Sequence, residues 1–358
     1  MNIEKLVLDG NLDLDTYPVE KLIQPPNWQI ITGENPRDSK FHVIIPAKNE
    51  EVAIRSILQN IVRQKLPNES SLIIDVILNG TTDGTADVIE GFNQEFIQNS
   101  EDKNVSNRTI RCFSVKEKGK IPALNFGRHN TQSDILINVD ADVFPTDNSI
   151  AKIYSLLKSN PKCATASVLS RIANVKNGVS VLRGMQEYYD AITRDNGAII
   201  GKFYAYKTSM FPDFPEDIMS NDTWLEFTSI QNYGIESVKF LGQKSESDVA
   251  VYYHATSSSL EYLQQLLRWE SGFQCLMRQH PELWEACHLA DRIEIPKKIT
   301  GIMRMLQDKY QDIPFIEKIA MFSLLHAIRK ITRNKSISEK FGLGTIWTSP
   351  KSDRFNYE

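Results

Sequence analysis

The sequence predicts an α/β protein built on a mainly parallel sheet flanked by helices, and three observations predict it. Short β-branched runs alternate with stretches of helical apolar spacing from Phe41 to Val143. Each run ends in a polar loop, as strands do when they discharge toward one edge of a parallel sheet. The chain has 358 residues, 41% hydrophobic and 24% charged, enough apolar material for a sizeable core.

Residues 1–40 mix polar turns with Pro25, Pro26 and Pro36 and read as an irregular lead-in holding at most one short strand. FHVIIP is then a strand, and AKNEEVAIRSILQNIVRQ carries Val52, Ile54, Ile57, Leu58, Ile61 and Val62 at helical spacing. SLIIDVILNG, RTIRCFSV and DILINVDADV read as further strands, with TTDGTADVIEGFNQEF and KIPALNFGRHN as the helices between them. Beyond Pro161 the alternation weakens. ATASVLSRI, IIGKFYAYKTSM and SDVAVYYHA are strand-like, while VSVLRGMQEYYDAITR and EYLQQLLRWESGFQCLMRQ suit helices. After Arg292 a helical extension with a polar tail is expected. The layout is thus a lead-in over 1–40, a main domain over 41–290 with halves at 41–150 and 151–290, and an extension over 291–358.

A formal net charge of −4 gives no global attraction to nucleic acid or to an anionic membrane. The four cysteines, Cys112, Cys163, Cys275 and Cys287, form no CxxC pair, which argues against a zinc cage and fits a reducing compartment. The N-terminus lacks the basic start and apolar run of a signal peptide, and no stretch reaches the length of a membrane span. A soluble, cytoplasmic protein is expected. The segment FIEKIAMFSLLHAIRKITRNK reads as a core helix with a charged outer face, or as a helix lying on a membrane that carries a lipid-linked substrate.

Asp140-Ala141-Asp142 closes a strand, so both carboxylates can reach one ligand as the chain turns out of the sheet. Such a pair suits Mg²⁺ or Mn²⁺ with a diphosphate completing the shell. The spacing alone is weak: Asp13 and Asp15 repeat it with no strand before them, and a solvated turn is the alternative. Lys120 follows a glycine in KEKGK and is either a point charge for a diphosphate or part of a solvated basic turn. Asp222, ahead of Thr-Trp-Leu-Glu-Phe, reads locally as a helix N-cap. Arg268 and Trp269 lie among helically spaced leucines and read as packing plus surface charge unless a site claims them. His254, after the strand DVAVYY, reads by itself as a structural histidine.

Together, FHVIIPAKNEE, NGTTDGT, GKIPALNFG and VDADV, followed by SNDTWL and QLLRW, stand in the order and spacing of family 2 glycosyltransferases, and the chain resembles that family over roughly residues 41 to 272. The resemblance implies a Rossmann-like sheet of the GT-A type and an inverting transfer of sugar from a nucleotide-diphospho-sugar to an acceptor hydroxyl on a glycan or glycolipid. It assigns Pro46, Ala47, Asn49, Glu50, Asn79 and Asp83 to the nucleoside side and Lys120 to the diphosphate. Asp140 and Asp142, with His254, would hold Mn²⁺ or Mg²⁺, and Asp140 would also meet the donor. Asp222 would be the base, Trp269 a platform for a sugar ring, and Arg268 a partner for the diphosphate side or for a loop closing over it.

QLLRW matches the QxxRW signature of the processive branch, yet the membrane helices of that branch are lacking, so addition of one or a few sugars is expected. Leu78 and Asn79 stand where many family members carry acidic residues that meet the nucleobase, and Asn221 replaces the glutamate that often precedes the base. Uridine is the first expectation and guanosine stays open. The competing readings are a degenerate carbohydrate-binding or scaffolding module and a sugar nucleotidyltransferase. The latter would place a glycine-rich loop after the first strand, where AKNEE has no glycine.

Overall fold

The structure is a computed structural model that describes residues 40–67, 70–98, 107–115, 119–131, 133–173, 199–242, 249–254 and 259–290. The lead-in before Lys40, the helix expected at VSVLRGMQEYYDAITR and the whole C-terminal extension, FIEKIAMFSLLHAIRKITRNK included, lie outside the described residues.

The first half follows the predicted alternation. Strand β1 (Lys40–Ala47), helix α1 (Ile54–Val62), β2 (Ser71–Asn79), α2 (Thr85–Gln98), β3 (Arg108–Val115), α3 (Lys120–His129) and β4 (Ile135–Val139) succeed one another. β3, β2, β1 and β4 lie side by side and parallel, with Ile44 opposite Asp75 on β2 and Asn138 on β4. All four therefore end at one edge, where the AKNEE, NGTTDGT, KEKGK and DAD segments begin.

The second half departs from the expectation of a simple parallel continuation. DILINVDADV is not one strand: the chain leaves the sheet at Asp140, turns, and re-enters a separate sheet as β5 (Val143–Pro145). After α4 (Ser149–Ser159), ATASVLSRI likewise divides between sheets, into β6 (Thr165–Val168) and β7 (Ser170–Ile172). β8 (Phe203–Lys207) then inserts antiparallel between β4 and β6. Helix α5 (Asn221–Tyr233), β9 (Val238–Leu241), β10 (Val251–Tyr253), α6 (Ser259–Gln279) and α7 (Trp284–Ala290) follow. The main sheet runs β3-β2-β1-β4-β8-β6-β9, and the small one β5-β10-β7.

Strand alternation sends buried side chains into two layers. Val43, Ile45, Ile137 and Val139 pack with Ile54, Ile57, Leu58 and Ile61 of α1 and with Ile150 and Ile153 of α4. Ile44, Ile77, Leu136, Tyr204 and Tyr206 pack instead with Leu124 of α3, Leu225 and Phe227 of α5, Phe273 of α6 and Ala286 of α7. Helices thus cover both faces, as the near-continuous apolar strands require. Gly127 lets α3 lie close on the sheet, since a Cβ there would stand 2.7 Å from Ile44 Cγ2 and 2.9 Å from Ile77 Cδ1. That approach fixes the height at which Lys120 begins the helix. The four cysteines are free thiols, and among the described residues no helix is long and apolar enough to cross a membrane.

Candidate active site

The loops at the shared strand edge hold one another by side chain to backbone bonds. Asn49 sits in the left-handed region at φ 57°, which asparagine tolerates, and its Oδ1 accepts the Thr82 N–H at 2.8 Å. The Glu50 N–H donates to Thr85 Oγ1 at 2.8 Å, and the Glu51 N–H to Asp83 Oδ2 at 3.2 Å. Glu51 Oε2 accepts the Gly84 N–H at 3.0 Å. Beneath them the Thr81 hydroxyl donates to the Ala47 carbonyl at 3.3 Å, next to Pro46 at the end of β1.

Two predicted nucleoside contacts are engaged with the protein itself. Burial opposes ionisation of Asp83, but its Oδ1 accepts the N–H and hydroxyl of Thr85 and its Oδ2 the Glu51 N–H, and these bonds together hold its carboxyl below the usual range. Asn79 is buried and directs its amide at Gly119, donating to the carbonyl and accepting the N–H at 2.9 Å. Gly119 has φ +124°, a conformation L side chains rarely adopt, and it immediately precedes Lys120. Asn79 is therefore the fastener that sets where α3 and its first lysine begin.

Lys120 Nζ donates to Asp140 Oδ1 at 2.6 Å, with both side chains partly enclosed. Burial alone would lower the lysine, but Asp140, Asp222 and Asp142 outweigh it and hold its pKa above the ordinary value. Asp140 is pushed up by burial and by Asp142, against the pull of Lys120 and Lys202. Glu50 is pushed up to about 7 by burial and by the charges of Asp142, Asp140 and Asp83. The structure thus brings Glu50, Asp83, Lys120, Asp140, Asp142 and Asp222 into one electrostatic neighbourhood.

Asp222 lies in the first turn of α5, but the N-cap position belongs to Ser220. The Asp222 carboxylate accepts the Ser220 hydroxyl at 3.0 Å and the Thr223 N–H at 2.9 Å. A cap role is therefore not what places it, and a carboxylate in a helical first turn is favoured by the dipole in any case. Its neighbour Asn221 donates to the Tyr204 hydroxyl at 2.7 Å in a buried pair under the site. His254 follows β10, whose Tyr253 pairs with Val143, so it stands beside the DAD turn in register. Gln265, Arg268 and Trp269 are half-buried on α6. Arg268 stands one turn before Gly272, whose Cβ position lies 3.6 Å from Met219 and 3.7 Å from Ser220, directly ahead of Asp222. Trp269 stands one turn before Phe273, which packs edge-on against Phe227 of α5.

Sequence reasoning missed Gly201, Lys202 and Tyr204. Lys202 sets its ammonium 3.9 Å from the centroid of the Tyr253 ring and acts on Asp140. The only signal was a lysine at the head of an otherwise apolar strand, IIGKFYAYK.

Among the described residues no three carboxylate, imidazole or thiol groups gather into a preformed cation cage. The carboxylates of Asp140 and Asp142 nevertheless suit a hard divalent ion that takes its remaining ligands from a diphosphate and water. The crowding that raises Glu50 marks the negative potential such an ion would meet.

A parallel half, a DAD turn joining two sheets and an antiparallel strand beside it define the GT-A class of fold. The mannosyltransferase PcManGT from Pyrobaculum calidifontis, in complex with GDP-Man and Mn²⁺, superposes with a TM-score of 0.56 at 15% identity, over 96% of this chain and 95% of that one. The sequence model of glycosyl transferase family 2 matches residues 42–217. Probable glycosyltransferase YdaM of Bacillus subtilis (strain 168) is 28% identical over 149 residues, 42% of this chain. The match spans 33% of that relative's length.

Proposed function

We propose that this chain is an inverting, metal-dependent glycosyltransferase that moves a sugar from a nucleoside-diphosphate donor, UDP-linked as the first expectation, to a hydroxyl of a glycan or glycolipid. The observation that carries this reading is the meeting of Lys120, Asp140 and Asp222 at the C-terminal edge of the parallel strands. A lysine held charged by carboxylates is a point charge for a leaving diphosphate. Asp222, on a different element from the DAD turn, is the group available to take the acceptor proton as its oxygen attacks.

In this reading the zipped AKNEE and NGTTDGT loops shape the nucleoside side. Asp140 and Asp142, with His254 beside them, hold the cation, which when bound offsets negative charge on the departing diphosphate. Arg268 serves the diphosphate side, and Trp269 offers a ring face to the sugar. The match of QLLRW to the processive signature supports a glycan acceptor. That the PcManGT structure is a complex with GDP-Man and Mn²⁺ supports testing guanosine as well as uridine.

Calorimetric titration with UDP and with GDP, each with Mn²⁺ and with chelator, tests the donor site. Binding of one nucleotide that disappears with chelator is expected. Asp222→Asn should keep that binding and lose transfer by about 10³-fold or more, the scale of a general base. Equal binding with and without metal, or no binding of either nucleotide, would favour a scaffold.

A further inference from the structure

Residues 199–202, just ahead of β8, link three parts of the site through consecutive residues. The Ile199 N–H donates to Glu226 Oε2 of α5 at 3.2 Å, and the Ile200 N–H donates to Ser167 Oγ of β6 at 3.2 Å. The Lys202 carbonyl accepts the Asp140 N–H at 2.9 Å. Between these anchors lies Gly201, against the Asp222 carboxylate: a Cβ there would stand 2.7 Å from Oδ2 and 3.2 Å from Cγ. Glu226 is only 1% exposed and follows Asp222 by one helical turn, so both face this segment.

Glycine is not required at 201 by its backbone. The positive-φ glycines among the described residues are Gly80, Gly119, Gly234 and Gly242. What glycine supplies at 201 is room. Accepting the reading of Asp222 as base, we propose that Gly201 is a positioning residue. Its missing side chain sets where the Asp222 carboxylate lies, while Glu226 and the Lys202–Asp140 bond fix the segment between α5 and the DAD turn.

The proposal makes an unusual demand on Gly201→Ala, because the atoms a methyl group would displace are the movable end of a side chain and not backbone. The fold should accommodate the change with its thermal midpoint preserved, and calorimetric affinity for UDP or GDP with Mn²⁺ should stay within about two-fold. Turnover, read as nucleoside diphosphate released from UDP-glucose or GDP-mannose, should fall about 100-fold at little changed KM, since a misplacement near 1 Å carries that cost. A crystal structure of the variant should show the carboxylate moved and the backbone of residues 199–202 in place.

Asp222→Asn run in parallel separates the two ideas. If that variant keeps full turnover, the base is misassigned and the positioning role falls with it. Should Asp222→Asn be inactive while Gly201→Ala turns over normally, the positioning role alone is wrong. Equal loss of nucleotide affinity and turnover in Gly201→Ala would also overturn it, as would a carboxylate that stays put. The last result needs no substrate and decides the matter even if neither donor is turned over. Glu226→Gln, which keeps an acceptor for the Ile199 N–H, should retain turnover far better than Glu226→Leu.

Discussion

Glu50 carries the clearest consequence for acid–base behaviour. Its carboxyl rises from 4.5 to about 7 because burial and the charges of Asp142, Asp140 and Asp83 oppose its ionisation. The folded protein then holds a proton that the unfolded chain has lost between those values, so Glu50 weakens stability as pH rises through that window. A cation seated among these carboxylates favours the ionised form. Binding of nucleotide with Mn²⁺ near pH 6.5 should therefore release protons, seen as a binding enthalpy that varies with the ionisation heat of the buffer, and Glu50→Gln should remove most of that dependence. Asn138 poses a different question. It is fully buried on β4, in the layer of Leu136, Ile44 and Tyr204, and among the described residues neither of its amide atoms has a hydrogen-bond partner. Leucine has the same heavy-atom skeleton, so Asn138→Leu should stabilise the fold by about 1–2 kcal/mol in chemical denaturation. A loss of stability would instead reveal a buried water that serves the amide.

Helix α3 is placed at both ends by small features: the Asn79–Gly119 fastening at its start and the close seat of Gly127 on Ile44 and Ile77. Gly127→Ala should push it off the sheet by tenths of an ångström, costing about 1–3 kcal/mol of unfolding free energy in chemical denaturation and weakening nucleotide affinity through Lys120. At this level the sequence was legible where period and loop chemistry agreed. FHVIIP, SLIIDVILN and RTIRCFSV are apolar or alternating runs that stop at polar turns, and the structure places all three as neighbouring parallel strands. ILINVDADVFP was not legible as two strands in two sheets, because Val143 and Phe144 continue the apolar pattern across the turn. Nothing local in FYAYK states that it runs antiparallel. The part played by Gly201 was equally invisible, since the atom that excludes a side chain there belongs to another helix. The motif makes Asp222 a candidate from sequence, whereas the contact beneath it, Asn221 with Tyr204, joins separate elements and has no sequence period.

Across the whole molecule, the parallel strands β1, β2 and β3 are tied together by a polar cluster centred on the buried Asp75. Asp75 on β2 accepts two bonds from Arg111 of β3, at 2.6 and 2.7 Å, and contacts His42 of β1 at 2.8 Å, while Thr131 meets the other nitrogen of His42 at 2.6 Å. Burial opposes ionisation of Asp75, but His42 and Arg111 prevail and hold its carboxyl below the ordinary value. The sign follows: its contribution is present at neutral pH and is lost as pH falls from the unfolded carboxylate range through the lower folded value. Asp75→Asn should cost about 3 kcal/mol at pH 7, with the gap to the parent narrowing in acid, measured by denaturation at several pH values. The insertion of β8 matters in another way, during synthesis. β4 finds β1 already made on one flank, but its other flank waits for Phe203–Lys207 to leave the ribosome. Until then ILINV presents an apolar, unpaired strand edge that invites association with other chains. A nascent chain halted before Phe203 would hold its parallel strands and lack β8 and α5, and it is the stage at which this protein most needs a chaperone.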